Sequence, residues 1–122
     1  MEGAGQLERV TWFDKNNGET STHNIGHVFV MTGASPRTGW LEGCVALDDK
    51  GFILTGRDLT LGADSAPNLS WPLTRPPQLF ETSLPGVFAV GDVRAGSVKR
   101  VASGVGEGAI AVSLVHHALA EV

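Results

Sequence analysis

A chain of 122 residues, 42% hydrophobic and 18% charged, has the size and make-up of one domain-sized unit able to bury about two thirds of its unfolded surface. Its net charge of -4 leaves no basic footprint for nucleic acid, and no apolar run approaches the roughly 18 to 20 residues that span a bilayer. The polar, acidic opening from Met1 to Gln6 is not a signal peptide, so the cytoplasm is the expected location.

Residues 7–13 form a strand-like run, Asp14-Lys15-Asn16-Asn17-Gly18 a turn, and residues 19–24 a polar second strand, which together predict a β-hairpin. The apolar run 28–32 is expected to be a buried strand. A polar hairpin leading into an apolar strand suits the tail of a nucleotide-binding domain whose beginning lies elsewhere. Gly33-Ala34-Ser35-Pro36 must be a loop, because Pro36 biases Ser35 away from helical angles. Ser35 either lies near a cofactor or only fixes the turn.

A short helical turn is expected over 38–43, and Asp48-Asp49-Lys50-Gly51 turns the chain into a strand over 52–55. Cys44 is the single cysteine and no Cys-x-x-Cys occurs, so this chain holds no redox pair; with no cation beside it in sequence, Cys44 reads as a small buried apolar residue. Residues 56–79 carry Pro67, Pro72, Pro76 and Pro77 around Trp71 and show no periodicity. They predict a long loop, functional or disordered, with Trp71 packing on a neighbouring surface as one option. Asn68-Leu69-Ser70 matches a glycosylation acceptor but lacks the secretory signal that would make it one.

Pro85-Gly86 is turn punctuation, and Val87-Phe88-Ala89-Val90 is long enough for a buried strand and too short for a helix. Gly91-Asp92 closes that strand. In open α/β sheets ligands collect outside the carboxyl ends of strands, where a lone carboxylate such as Asp92 can accept hydrogen bonds from a ribose or polyol. After a loop with Gly96 and Ser97, Val101, Val105, Val112, Val115 and Leu119 recur at spacings of three, four and seven, which predicts a helix from about 98 or 100 to 120.

Glycines 104, 106 and 108 oppose that helix at about 1 kcal/mol each. Gly104 and Gly108 share a face and would let it press closely on a strand or a flat ligand. The helix start around Lys99, Arg100, Val101 and Ala102 offers unpaired N–H groups and a partial positive charge, suited to an electron-rich or anionic ligand. Arg94, Lys99 and Arg100 form a small basic cluster there, with a solvated loop as the alternative for the first two. His116 and His117 point about 100° apart with no carboxylate or cysteine cluster to complete a metal set, and they suit the helix C-terminus. Gly104-Val105-Gly106-Glu107-Gly108 lies within the helix and lacks the Gly-x-Gly-x-x-Gly spacing of a dinucleotide site.

Gly86-Val87-Phe88-Ala89-Val90-Gly91-Asp92-Val93, the basic loop, Arg100-Val101-Ala102 and the glycine-rich helix resemble the C-terminal FAD-binding segment of the pyridine-nucleotide disulfide oxidoreductases, in their thioredoxin reductase-like branch. Val28-Phe29-Val30-Met31-Thr32-Gly33-Ala34-Ser35-Pro36-Arg37-Thr38 is similar to that family's crossover from the NADPH domain back to the FAD domain. The resemblance implies an α/β fold, the C-terminal part of a two-domain, Rossmann-like FAD/NAD(P)-binding flavoprotein with an N-terminal β-hairpin. Residues 1–34 would be the tail of the NAD(P)H-binding domain, and 35–122 the C-terminal part of the FAD-binding domain with the long loop 56–79.

The same resemblance implies cofactor-binding roles for Gly91 and Asp92 on the ribityl chain of FAD, and for the backbone of Arg100, Val101 and Ala102 at the pyrimidine edge of the flavin ring. Val101 stands where the branch usually carries glutamine, and a backbone contact survives that change. It further implies hydride transfer from NADPH to FAD and on to a disulfide or another acceptor, in an enzyme whose remaining FAD and NADPH sites come from an N-terminal part or from another chain. The chain alone is expected to be inactive. A homodimer is an option, and neither nucleic acid nor membrane is expected as a partner. The alternatives are a fragment of a thioredoxin reductase-like ferredoxin-NADP reductase and a non-catalytic binding module that has kept the fold.

Overall fold

The computed structural model describes residues 1–61 and 71–122, which fall into two compact units, Met1–Gly33 and Ala34–Val122. The first unit is built on an antiparallel hairpin of β1 (Arg9–Phe13) and β2 (Thr20–Asn24), with Arg9 opposite Asn24 and Phe13 opposite Thr20. Its turn forms as expected. The Asp14 carboxylate accepts from the Asn16 N–H at 2.8 Å, and Gly18 takes the left-handed φ of 73° that lets the chain double back. Cross-strand pairs supply the side-chain part: the Thr11 and Thr22 hydroxyls are 2.9 Å apart, and the Trp12 ring stacks on His23 at 4.2 Å.

The strand expected over 28–32 is absent. Among the described residues no backbone pairs with this run, and it is largely exposed, with Phe29 at 86% and Met31 at 92%. Apolar content favours burial, but a strand exists only where a neighbour takes its N–H and C=O groups.

The second unit has little regular structure before its long helix: a 3-10 turn at Gly39–Leu41, a single helical turn α1 (Asp58–Leu61), a 3-10 turn at Gly91–Val93, and α2 (Val101–Ala120). Its core is a small cluster of Val45, Ile53 and Ala89, with Leu41, Leu47 and Val93 packed against it. Two more expected strands are reduced here to single bridges. Ile53 lies between Leu47 and Arg94, donating its N–H to the Val93 carbonyl at 2.9 Å and accepting from the Ala95 N–H at 2.8 Å, while Phe88 meets only Glu81. The Pro85-Gly86 turn on one side and the φ of 78° at Gly91 on the other leave room for one pairing, so Ala89 is buried and Val87 is exposed.

Other expectations fare variously. The Asp48 turn forms, its carboxylate accepting from the N–H groups of Lys50 and Phe52. Cys44 is exposed rather than buried: at Gly43, with φ 76°, the chain turns so that Val45 and Ala46 go inward instead. The predicted loop is interrupted by α1, and its residues 62–70, with Pro67 and Asn68-Leu69-Ser70, lie outside the described residues. Trp71 packs inside its own unit, donating its indole N–H to the Arg75 carbonyl at 2.6 Å beneath the Arg75 guanidinium. The long helix forms over the predicted span, but none of its residues is buried. No helix among the described residues is long and apolar enough to cross a membrane.

Glu81 anchors this unit. Its fully buried carboxylate accepts from both terminal nitrogens of Arg75, at 2.8 and 2.9 Å, and from the N–H groups of Gln78 and Gly86, both at 2.9 Å. Arg75 reaches on to Glu121 beyond the end of α2, at 2.9 Å. Burial alone would push the Glu81 carboxyl up, but the Arg75 guanidinium and the two N–H donors outweigh it and hold it below the ordinary 4.5. Glu81→Gln should therefore cost about 2 kcal/mol at neutral pH. Because the folded-state value is depressed, this stabilisation is complete above the unfolded value and is lost as pH falls through and below 4.5. Urea unfolding from pH 7 to pH 3 should show a flatter pH dependence for the glutamine variant than for the parent.

Candidate functional site

Val90 runs extended into the Gly91–Val93 turn, which closes with the Arg94 N–H donating to the Gly91 carbonyl at 3.1 Å. This turn rests on α2. Gly91 meets Gly104, where an added Cβ would lie 3.8 Å from the Gly91 Cα. The expected close approach thus occurs at Gly104. It does not occur at Gly108, whose corresponding space holds no atom of the described residues within 4 Å, because the turn is short and covers only the N-terminal part of the helix.

Glu107, three residues beyond Gly104 and hence on the same helical strip, fastens the turn. Its carboxylate accepts from the Gly91 N–H at 2.6 Å and from Arg94 at 2.6 Å (Nη2) and 3.3 Å (Nε). Both side chains are mostly buried, and the Arg94 guanidinium also covers the Phe80 ring. The Arg94 hydrogen bond first, and the Gly91 N–H and the charges of Arg94 and Lys99 after it, overcome burial and hold the Glu107 carboxyl below its ordinary range. Lys99 donates to the Asp92 carbonyl at 2.9 Å and to the Ser97 hydroxyl at 3.1 Å, and its ammonium lies 4.1 Å from the centre of the Phe52 ring.

The basic cluster thus divides. Arg94 and Lys99 are engaged within the unit, whereas Arg100 is exposed and donates to the Lys99 carbonyl at 3.1 Å. Asp92 is exposed, and it is its carbonyl rather than its carboxylate that receives Lys99. At the start of α2, Arg100 is extended and its side chain does not cap the helix, while Val101 and Ala102 are exposed. The structure therefore sets Gly91 and Asp92 on the N-terminal half of the helix that Arg100, Val101 and Ala102 begin. A cavity of about 400 Å3, lined mainly by apolar side chains including Leu41, Val45, Ile53, Val90 and Val93, borders the same turn. Its size is within the range of small-molecule sites. His116 and His117 are exposed on the last turns of α2, and among the described residues no group of three or more His, Cys, Asp or Glu is placed to hold a metal ion.

Sequence reasoning missed Glu107 and Glu81. The signal for Glu107 was its i+3 spacing from Gly104; the donors of Glu81, on Arg75, Gln78 and Gly86, all lie within six residues of it, but in a stretch of loop and turn with no periodic pattern to point to it.

No family model matches the chain. It is 33% identical over 110 residues to the alkyl hydroperoxide reductase F subunit of Pseudomonas aeruginosa, a match covering 89% of this chain and 17% of that protein. It is 28% identical over 107 residues to the protein of the same name from Staphylococcus aureus strain NCTC 8325, again over 17% of the relative. The fold superposes on the crystal structure of thioredoxin reductase from Streptococcus pyogenes with a TM-score of 0.66 and 28% identity, covering 99% of this chain and 33% of that one. Thioredoxin reductase from Lactococcus lactis shares the fold, with a TM-score of 0.61. The chain thus spans about a sixth of the hydroperoxide reductase relatives and a third of the solved thioredoxin reductases it matches, and corresponds to a part of a thioredoxin reductase-like enzyme.

Two glycine replacements should separate backbone need from helix cost. Gly91→Ala forces an L-residue to a φ of 78° and should destabilise by about 1 to 2 kcal/mol. Gly106→Ala, on an open helical surface, should stabilise by about 1 kcal/mol. Thermal unfolding followed by circular dichroism checks both signs.

Proposed function

We propose that this chain, homologous over nearly its whole length to part of the thioredoxin reductase-like oxidoreductases, supplies the flavin-holding C-terminal segment of such an enzyme. The observation that carries the reading is the exposed Asp92 in a glycine turn fastened to the N-terminal half of α2, beside a helix start free of side-chain capping. In this reading residues 1–34 are the tail of the NAD(P)H-binding domain and 35–122 the C-terminal part of the FAD-binding domain.

The donor set suits FAD. A carboxylate with no other side chain bound to it, among the described residues, accepts hydrogen bonds from the ribityl hydroxyls. The backbone N–H groups of Val101 and Ala102, at the positive end of the helix dipole, suit the electron-rich pyrimidine edge, whereas the Arg100 N–H donates to the Val98 carbonyl at 2.8 Å, and Gly91 allows close approach. FAD, when bound in the complete enzyme, relays reducing equivalents from NADPH to a disulfide or another acceptor. The chain's own part is to bind and orient the cofactor and to stabilise negative charge beside the helix start. The pyrophosphate, the adenine and the NADPH would be held by residues outside this chain, supplied by the rest of the same polypeptide, by another chain or by a homodimer partner. A redox disulfide would come from there as well, since Cys44 has no partner here.

Asp92→Ala in the enzyme carrying this segment should weaken FAD retention by roughly 1.5 to 3 kcal/mol, the worth of a hydrogen bond to a charged group. Flavin absorbance after exhaustive dialysis measures it, and unchanged content would overturn the assignment. The chain by itself should form no stoichiometric complex at micromolar FAD and should not oxidise NADPH with a dye acceptor, because the most charged part of the cofactor lacks its glycine turn and helix N-terminus. Flavin fluorescence titration and a reductase assay test the two halves; tight binding or turnover would show that the chain is sufficient alone.

A further inference from the structure

We infer that Glu107 is a positioning residue for the cofactor site: by clamping the Gly91 N–H and the Arg94 guanidinium with one carboxylate, it fixes the turn that carries Asp92 and keeps Arg94 away from it. The inference rests on the reading of Asp92 as the ribityl ligand and adds a residue that touches no cofactor atom itself.

Geometry makes the case. The Gly91–Val93 turn lies in no strand ladder among the described residues; the Ile53 N–H holds its last residue by donating to the Val93 carbonyl at 2.9 Å, and the placement of Gly91 and Asp92 depends on the Gly91–Gly104 contact, the Lys99 contact to the Asp92 carbonyl, and Glu107. Of these contacts, the one from Glu107 hydrogen-bonds the first residue of the turn to the long helix, three residues beyond the Gly104 contact. Its two oxygens are shared among three donors, Gly91 N, Arg94 Nε and Arg94 Nη2, so neither the glycine N–H nor the guanidinium is left seeking another acceptor.

Arg94 stands two residues from Asp92. An unpaired guanidinium there would be a strong donor within reach of the Asp92 carboxylate and would compete with a hydroxyl ligand for it. Pairing with Glu107 removes that competitor. Without Glu107 the turn loses the tether at its first residue and Asp92 gains a rival partner, and both effects lower the occupancy of a ligand-ready Asp92.

The test uses Glu107→Ala, the milder Glu107→Gln, Asp92→Ala and the double variant. In this chain without cofactor, amide hydrogen exchange at Gly91 should speed up about tenfold in Glu107→Ala while amides in the middle of α2 are unchanged. In the FAD-loaded enzyme that carries the segment, Glu107→Ala should raise the FAD dissociation constant about tenfold and Glu107→Gln, which keeps one acceptor oxygen, about threefold. A residue that acts through Asp92 has nothing further to act on once Asp92 is gone, so the double variant should bind FAD within about twofold of Asp92→Ala alone.

Independent, multiplying losses would make Glu107 merely structural and overturn the proposal, as would unchanged exchange at Gly91. If Glu107→Ala fails to fold, the glutamine variant carries the same comparison. An Asp92→Ala enzyme that keeps its FAD would instead overturn the ribityl reading. Weakened binding in Asp92→Ala with none in Glu107→Ala would overturn the role of Glu107 alone.

Discussion

The carboxylate of Glu107 joins a glycine turn to a long helix, and the second unit depends on contacts of that kind because it has almost no sheet. Where strands are absent, backbone N–H groups near the core still need acceptors. Carboxylates provide them here. Asp48 takes the N–H groups of Lys50 and Phe52, Glu81 those of Gln78 and Gly86, and Glu107 that of Gly91. The two mostly buried carboxylates are each matched by an arginine, Arg75 and Arg94, and each arginine lies over an aromatic ring, Trp71 and Phe80. Such pairs are worth keeping only while complete, since removing one partner leaves the other charged and poorly solvated.

What could be read from the sequence follows the range of the interactions. The hairpin turn at Asp14–Gly18, the Asp48 turn and the helix from Val101 to Ala120 are set by residues within a few positions of each other, and all three form where the pattern puts them. The runs at 28–32, 52–55 and 87–90 carry strand-like composition, but strand formation is decided by a partner outside the run. Ile53 finds Leu47 and Arg94, Phe88 finds Glu81, and 28–32 finds none among the described residues. Cys44 fails as a buried residue for a similar reason: composition favours the interior, whereas the positive φ of Gly43 decides which way the next side chains face.

The site was legible as far as the pair Gly91-Asp92 and the start of α2, since a short apolar run ending in glycine and aspartate before a helix is a local pattern. Its support was not. Arg94 and Lys99 read in sequence either as cations around a ligand or as a solvated loop, yet folding commits one to Glu107 and the other to a carbonyl, a hydroxyl and a ring. A charge near a site in sequence shows which electrostatics are available, while the partners that folding selects determine what remains for a ligand.

That commitment also shapes the chemistry left over. With both neighbouring cations occupied, the surface around the turn presents an exposed carboxylate, a helix N-terminus whose partial positive charge no side chain caps, and the apolar wall that includes Val90 and Val93. A simple hydrocarbon would leave both polar features unused. A molecule joining a hydroxylated chain to a flat, electron-rich ring meets all three: acceptor for the hydroxyls, donors for the ring edge, and apolar surface for its faces. In the proposed reading, pairing Arg94 with Glu107 leaves the Asp92 carboxylate to hydroxyls rather than to a guanidinium.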